Sequence, residues 1–261
     1  MDKPTLHIIK IGGKLINEPE LLSQALASIS KLTEPTIVVH GGGRQATALC
    51  KSLGIPVQMI DGRRITDGPT LEVAIMVYAG LTNKRIVAQL HSLGRDAIGV
   101  SGADADLIRS IKRPPHPRDY GWVGDVTQVN AKRFGEFISQ GLLPVCCALT
   151  HDGHGQMLNT NADTIAAEIA KAMAEHYQAH LSYCFEHEGV LTDVHDPNSV
   201  VSKLTSKAFQ QMINEGSIHT GMIPKLSNGF YALSNGAHQV KICGISGLDN
   251  PLAGTQLRSS L

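Results

Sequence analysis

The chain has 261 residues, 42% of them apolar, and its 23 Lys plus Arg are balanced by 23 Asp plus Glu. This length suits one α/β unit with two lobes, and the even charge gives no electrostatic footprint for nucleic acid or a membrane surface. Five cysteines (Cys50, Cys146, Cys147, Cys184 and Cys243) are an odd number and include no C-x-x-C pair, which argues against a disulfide framework and a Cys-based zinc site.

The N-terminus is short and polar and lacks the basic region and cleavage site of a signal peptide. No apolar stretch reaches the length of a membrane span. A soluble, cytoplasmic protein is expected.

In chain order, Leu6 to Ile11 reads as a buried strand ending in Gly12-Gly13. Pro19 opens a helical pattern with Leu21, Leu22, Ala25, Leu26 and Ile29 on one side. Thr36 to Val39 is a second strand, followed by His40, three glycines and a helix from Gln45 to Leu53. Thr70 to Leu93 predicts one long helix and Ala97 to Ser101 a short strand. Ile108 to Tyr120 reads as a basic, Pro-rich loop. Trp122 to Val129 alternates like an exposed strand or hairpin, Ala131 to Gln140 is a helix, and Leu142 to Cys147 is a buried strand. A polar turn at His151 to Gln156 precedes a helix from Asn161 to Glu175. Leu181 to Phe185 and Gly189 to Thr192 bracket a further strand-loop region, followed by helices at Thr205 to Asn214 and Ile223 to Ser234 and a last strand at Gln239 to Cys243.

This alternation predicts an α/β fold, a three-layer αβα sandwich with a central, mainly parallel sheet. The seam between lobes is expected near residue 175.

Ligands of open parallel sheets bind at the carboxyl ends of the strands, and three features fall there. Lys10 sits inside an apolar strand next to Gly12-Gly13. It can point its ammonium at a phosphate, or be an edge lysine beside an ordinary turn. His40-Gly41-Gly42-Gly43 lies between a strand and a helix, where N–H groups collect anions; a tight connection is the plainer reading, but three glycines exceed what a turn needs. In Asn159-Thr160-Asn161-Ala162-Asp163 the spacing alone fits turn-forming asparagines and a helix-start aspartate slightly better than a site. The P-loop signature, the G-x-G-x-x-G dinucleotide fingerprint after the first strand and the protein-kinase motifs are all absent.

In order, Ile9-Lys10-Ile11-Gly12-Gly13, Val38-Val39-His40-Gly41-Gly42-Gly43, Gly62-Arg63-Arg64-Ile65-Thr66, Gly124-Asp125-Val126, Asn159-Thr160-Asn161-Ala162-Asp163, Gly189-Val190-Leu191 and Gly221-Met222-Ile223-Pro224-Lys225 resemble the amino acid kinase family. The Arg-x-Thr and Asn-x-Asn-Ala-Asp pieces are similar to the branch that acts on N-acylated glutamate.

The resemblance implies ATP-dependent phosphorylation of the γ-carboxylate of N-acetyl-L-glutamate to an acyl phosphate, a step of arginine biosynthesis. It assigns Lys10 and Lys225 to the transferred phosphoryl group and Asp163 to holding both lysines. Gly42 and Gly43 would offer N–H groups to the reacting oxygens, Arg64 and Asn159 would bind the α-carboxylate, and Asn161 would support that pocket. Gly12, Gly13, Glu186, Gly189, Leu191, Ile218 and Thr220 would line the nucleotide site. Mg²⁺ would be held mainly by the ATP phosphates, with no protein metal cage. Residues 1–175 would bind acylglutamate and dimerise, and 176–261 would bind ATP. A chain that begins almost at its first strand implies a homodimer without the N-terminal helix of hexameric relatives, with Thr70 to Leu93 at the dimer face.

Two departures stand out. Glu186 occupies a position where many relatives carry Asp. The segment Lys112-Arg113-Pro114-Pro115-His116-Pro117-Arg118 is basic; it is either a solvated loop or, through Lys112, Arg113 and Arg118, a receptor for a longer acidic acyl group such as succinyl. The residues also admit an acid kinase acting on free glutamate or aspartate, an inactive acylglutamate- or nucleotide-binding regulatory protein, and a zinc protein built on His176 with His180 or His151 with His154.

Overall fold

The computed structural model describes residues 3–259 apart from 61, 62, 194, 197, 198, 219 and 220. The chain packs as two units, one of residues 1–37 with 166–261 and the other of residues 38–165.

The first unit opens with β1 (Thr5–Ile11), a short α1 (Gly13–Asn17) and α2 (Pro19–Ser30). Proline at the first helical position suits α2, because the missing N–H would have no intrahelical partner there. Leu22, Ala25, Leu26 and Ile29 form its buried stripe at helical spacing. Strand β2 (Thr36–His40), buried throughout, carries the chain into the second unit.

There follow α3 (Gly43–Ser52), the pair β3 (Met59–Ile60) and β4 (Arg63–Arg64), and α4 (Gly68–Ile75), whose Asp67 cap accepts from the Thr70 N–H at 2.9 Å. The helix expected over Thr70 to Leu93 is present but not uniform. A π-helical stretch (Met76–Thr82) separates α4 from α5 (Asn83–Ser92). Next come β5 (Ala97–Val100), β6 (Ile108–Lys112), β7 (Gly124–Val129), α6 (Ala131–Ser139), β8 (Leu143–Cys147), β9 (Leu149–His151), β10 (Met157–Asn159) and α7 (Ala162–Met173). The first unit is completed by β11 (Gln178–Cys184), β12 (Lys203–Thr205), α8 (Ser206–Asn214), α9 (Ile223–Ser234), β13 (Gln239–Cys243) and β14 (Thr255–Arg258).

In the first unit the strands lie in the order β12-β14-β13-β11-β1, all neighbours parallel except β13 and β14. In the second, β2, β8 and β5 are parallel neighbours, and β10-β9-β6-β7 form a separate, largely antiparallel sheet. The packing division therefore runs differently from a single seam near residue 175. The cause is the pairing of β1 with β11 along its whole length, which draws the first residues to the last third of the chain.

The expected loop over Ile108 to Tyr120 needs a correction. Its first five residues are β6, paired with β7. Ile108 and Ser110 are buried while Arg109 and Ile111 are exposed, a period of two hidden by the polar residues.

In the first unit, His7 and His180 face each other across β1 and β11, their rings edge-on at 5.7 Å, and His180 stacks on His238 at 5.3 Å. Burial lowers the His180 pKa to about 4, helped by the charges of His7, His238 and Lys241, with Glu34 opposing. The unfolded chain then binds more protons than the folded one between pH 4 and about 6.5, so stability falls as pH drops through that window. His180→Asn is expected to flatten the decline in melting temperature between pH 7 and 4.5 relative to wild type. Parallel pH profiles would contradict this.

Candidate active site

The second unit's candidate site starts at the end of β2. The chain leaves the buried His40, turns through Gly41 and Gly42, and enters α3 at Gly43. Gly42 is required by a close approach: a Cβ there would lie 2.6 Å from Tyr78 Cδ1. Gly43 has room, since a Cβ there would stand 3.9 Å from both Arg64 Nη2 and Tyr78 Oη. Gly42→Ala is expected to cost about 1–3 kcal/mol through overpacking, whereas Gly43→Ala stays within about 0.5 kcal/mol. Denaturant midpoints of the two variants check this, and equal midpoints would contradict it.

Arg64 ends β4 and is 8% exposed. Its Nη2 donates to Gly43 O at 2.8 Å and to Thr47 Oγ1 at 2.7 Å. Its Nη1 is buried without a hydrogen-bond partner, and no carboxylate of a described residue forms an ion pair with it. A buried guanidinium lacking a counter-charge is costly, and a bound carboxylate would supply one. Tyr78 lies beside it, and burial pushes the phenol's pKa up.

Asn159, at the end of β10, is tied to the same strand: its Nδ2 donates to Thr66 Oγ1 at 2.9 Å, and Thr66 Oγ1 donates to Arg64 O at 3.3 Å. Gly43, Arg64 and Asn159 thus form one hydrogen-bonded network. Asn161 Oδ1 accepts from the N–H groups of Asp163 at 2.8 Å and Thr164 at 3.1 Å, capping α7. The buried Asp163 lies in that helix's first turn, where the dipole favours negative charge. Thr47 and Thr66 complete the network, and Tyr78 packs beside the glycine loop. Of these only Thr66 carried a sequence signal, as the end of the Arg-x-Thr piece.

The first unit holds the two candidate lysines and the nucleotide candidates. Lys10 is 7% exposed on β1. Gly12 N–H donates to Cys184 O at 2.7 Å, and a Cβ on Gly12 would meet that oxygen and Phe185 at 3.1 Å, whereas Gly13 faces open space. Gly189 packs against Val200 and Thr255, and Leu191 bridges to Val200. Ile218 is buried, and Thr220 lies outside the described residues. Lys225 is in the first turn of α9, its Nζ donating to Gly221 O at 3.4 Å. Glu186 has different neighbours from Gly189 and Leu191. It lines a cavity of about 550 Å³ with Leu15, Leu21, Ser28 and Ile245.

The chain matches the amino acid kinase family over residues 5–244. It is 50% identical over 256 residues to an acetylglutamate kinase of Phocaeicola vulgatus, covering 98% of this chain and 99% of the relative. An acetylglutamate kinase of Parabacteroides distasonis is 51% identical over 237 residues, 91% of this chain and 93% of the relative.

The chain belongs to the amino acid kinase family.

The carbamate kinase of Giardia lamblia, at 11% identity, shares the fold of this family member with a TM-score of 0.74 over the whole of both chains. The basic segment has defined partners within the chain. Lys112 lies over the Trp122 ring at 4.5 Å, and Arg113 forms a forked ion pair with Asp125 and lies over Tyr120 at 5.5 Å. Arg118 is exposed. Among the described residues no group of three His, Cys, Asp or Glu side chains could hold a metal ion, and no helix is long and apolar enough to cross a membrane.

Proposed function

We propose that this family member transfers the γ-phosphoryl group of ATP to the γ-carboxylate of N-acetyl-L-glutamate, the activation step of arginine biosynthesis. The observation that carries the reading is the buried Arg64, held by Gly43 and Thr47 with Nη1 unpartnered, beside Asn159. This is a carboxylate receptor next to a glycine loop, in a chain half identical to proteins named acetylglutamate kinase.

A carboxylate is already nucleophilic, so the reaction needs no general base. It needs two anions brought together and charge on the phosphoryl oxygens stabilised. Lys10 and Lys225 are assigned to that charge, Asp163 to their orientation, and Gly42 and Gly43 to N–H donation. Gly12, Gly13, Gly189, Leu191 and Ile218 are assigned to the nucleotide. Mg²⁺ comes with ATP, held by its phosphates, and no side chain is assigned to it. Exposed Met76 and Leu81 support Thr70 to Leu93 as the face of a homodimer, which light scattering would test. A cytoplasmic location fits an enzyme of this metabolism.

The acetyl substrate is preferred over succinyl because the charge of Arg113 is met by Asp125 and Lys112 rests on Trp122. Arg113 Nη1, buried without a partner, favours succinyl and makes that substrate the comparator. A coupled ADP-release assay with Mg-ATP, and hydroxylamine trapping of the acyl phosphate, is expected to show turnover of N-acetylglutamate above N-succinylglutamate, glutamate and aspartate. Turnover of none would overturn the reading; preference for succinylglutamate would give Arg113 the acyl group.

A further inference from the structure

The glycine loop has a support that none of the assigned residues provides. His40 is fully buried at the end of β2. Its Nδ1 lies 2.7 Å from Gly41 O and its Nε2 lies 3.0 Å from Asn83 Nδ2.

The proton positions follow from the neighbours. Asn83 Nδ2 donates to Val145 O at 2.8 Å, and Asn83 Oδ1 accepts from Lys84 Nζ at 3.2 Å. A carbonyl only accepts and an ammonium only donates, so the orientation of the amide is fixed from both ends. The second Nδ2 hydrogen is then directed at His40 Nε2, which accepts. A neutral imidazole accepting at Nε2 carries its proton on Nδ1, and that proton is donated to Gly41 O. Burial, with the Lys84 charge adding to it, lowers the His40 pKa to about 4, so the ring stays neutral at physiological pH.

The fold makes room for this pair. A Cβ at Gly99 would lie 1.9 Å from Asn83 Oδ1, so β5 admits the amide only because glycine stands there. The π-helical stretch ends at Thr82, directly before Asn83. Its i→i+5 turn keeps residues four and five apart on one side. Tyr78 reaches Gly42, Thr82 Oγ1 donates to Gln45 Oε1 at 2.7 Å, and Asn83 reaches His40.

In a trans peptide the C=O and the following N–H point in opposite directions. Holding Gly41 O against the imidazole therefore turns the Gly42 N–H away from it, at a helix start where N–H groups have no intrahelical partner. We propose that His40 and Asn83 are positioning residues: their hydrogen-bonded pair fixes the Gly41–Gly42 peptide so that the Gly42 N–H is presented to the reacting anion. The proposal rests on the reading that the glycine loop binds the reacting oxygens.

Two variants separate the two ends of the ring. Asparagine places a donor near the position of Nδ1, and glutamine places its amide near the position of Nε2. His40→Gln keeps a partner for Asn83 but loses the bond to Gly41 O; His40→Asn keeps the bond to Gly41 O. His40→Gln is expected to lower kcat with N-acetylglutamate by about 10²-fold, the effect of a small misplacement at a reacting centre, with KM for ATP changed less than about threefold. His40→Asn is expected to recover at least a tenfold share of that loss. Equal losses in the two variants, or no loss in either, would overturn the proposal.

Nitrogen-15 NMR of histidine-labelled wild-type protein, with His40→Asn used to assign the signal, is expected to show the Nδ1–H tautomer from pH 5.5 to 8. An Nε2–H tautomer, or titration near pH 6.5, would overturn the proposal independently of any activity measurement. If the wild type turns over no acylglutamate but shows the Nδ1–H tautomer, the functional reading fails while the hydrogen-bond assignment stands.

Discussion

Lys10→Met is expected to lower kcat by about 10³-fold while leaving KM for N-acetylglutamate within about threefold. The magnitude is the upper end of what removing one charge-stabilising donor costs. The split follows from the assigned role: an ammonium that meets charge developing on the phosphoryl oxygens contributes to the transition state and little to the ground state. Methionine keeps the unbranched stem on β1, where Lys10 lies level with Tyr183 and is 7% exposed, so packing is largely conserved. An unchanged melting temperature would confirm that, since a loss of activity with a loss of fold would say nothing of the charge. Lys225→Met is expected to act in the same direction. If both lysines serve one phosphoryl group, the double variant should lose less than the product of the single losses, as groups acting as a unit do. A kcat within tenfold of wild type in Lys10→Met would remove Lys10 from the mechanism.

Much of this framework was legible because local chemistry and tertiary packing agree. α9 and β13 have the bounds expected from the sequence, since an apolar period and clean terminators mark both. The glycine loop was visible because three consecutive glycines exceed any turn requirement. The structure adds that Gly42 in particular is needed, and the reason, the Tyr78 ring, comes from a residue far along the chain. β6 was not legible, as its exposed Arg109 and Lys112 mask a two-residue period carried by only Ile108 and Ser110. The π-helical stretch has no sequence signature, and the β1–β11 pairing is non-local. The same limit applies to the candidate site. Arg64 stood out by motif, but its dependence on Thr47 and Gly43, and that of His40 on Asn83, arises where separate elements meet.

Arg64→Lys is expected to lower kcat/KM for N-acetylglutamate by about 10²-fold, mostly through KM, with KM for ATP little changed. Charge alone does not predict this, because lysine keeps it. The guanidinium already spends Nη2 on Gly43 O and Thr47 Oγ1 and turns its buried Nη1 elsewhere. A planar fork can do both, while a single ammonium on a flexible stem cannot hold two fixed acceptors and a carboxylate in the same geometry. The loss of about 2–3 kcal/mol corresponding to that factor matches a charge-assisted hydrogen bond to a substrate carboxylate. Thr47→Val separates the two tasks: it removes one acceptor that orients Nη2 while leaving the Nη1 face intact, and about a tenfold effect is expected. Thermal shift with N-acetylglutamate alone gives a readout independent of turnover, with the ligand-induced rise abolished in Arg64→Lys and reduced in Thr47→Val. A full rise in Arg64→Lys would place the α-carboxylate elsewhere and leave Arg64 as a brace for the glycine loop.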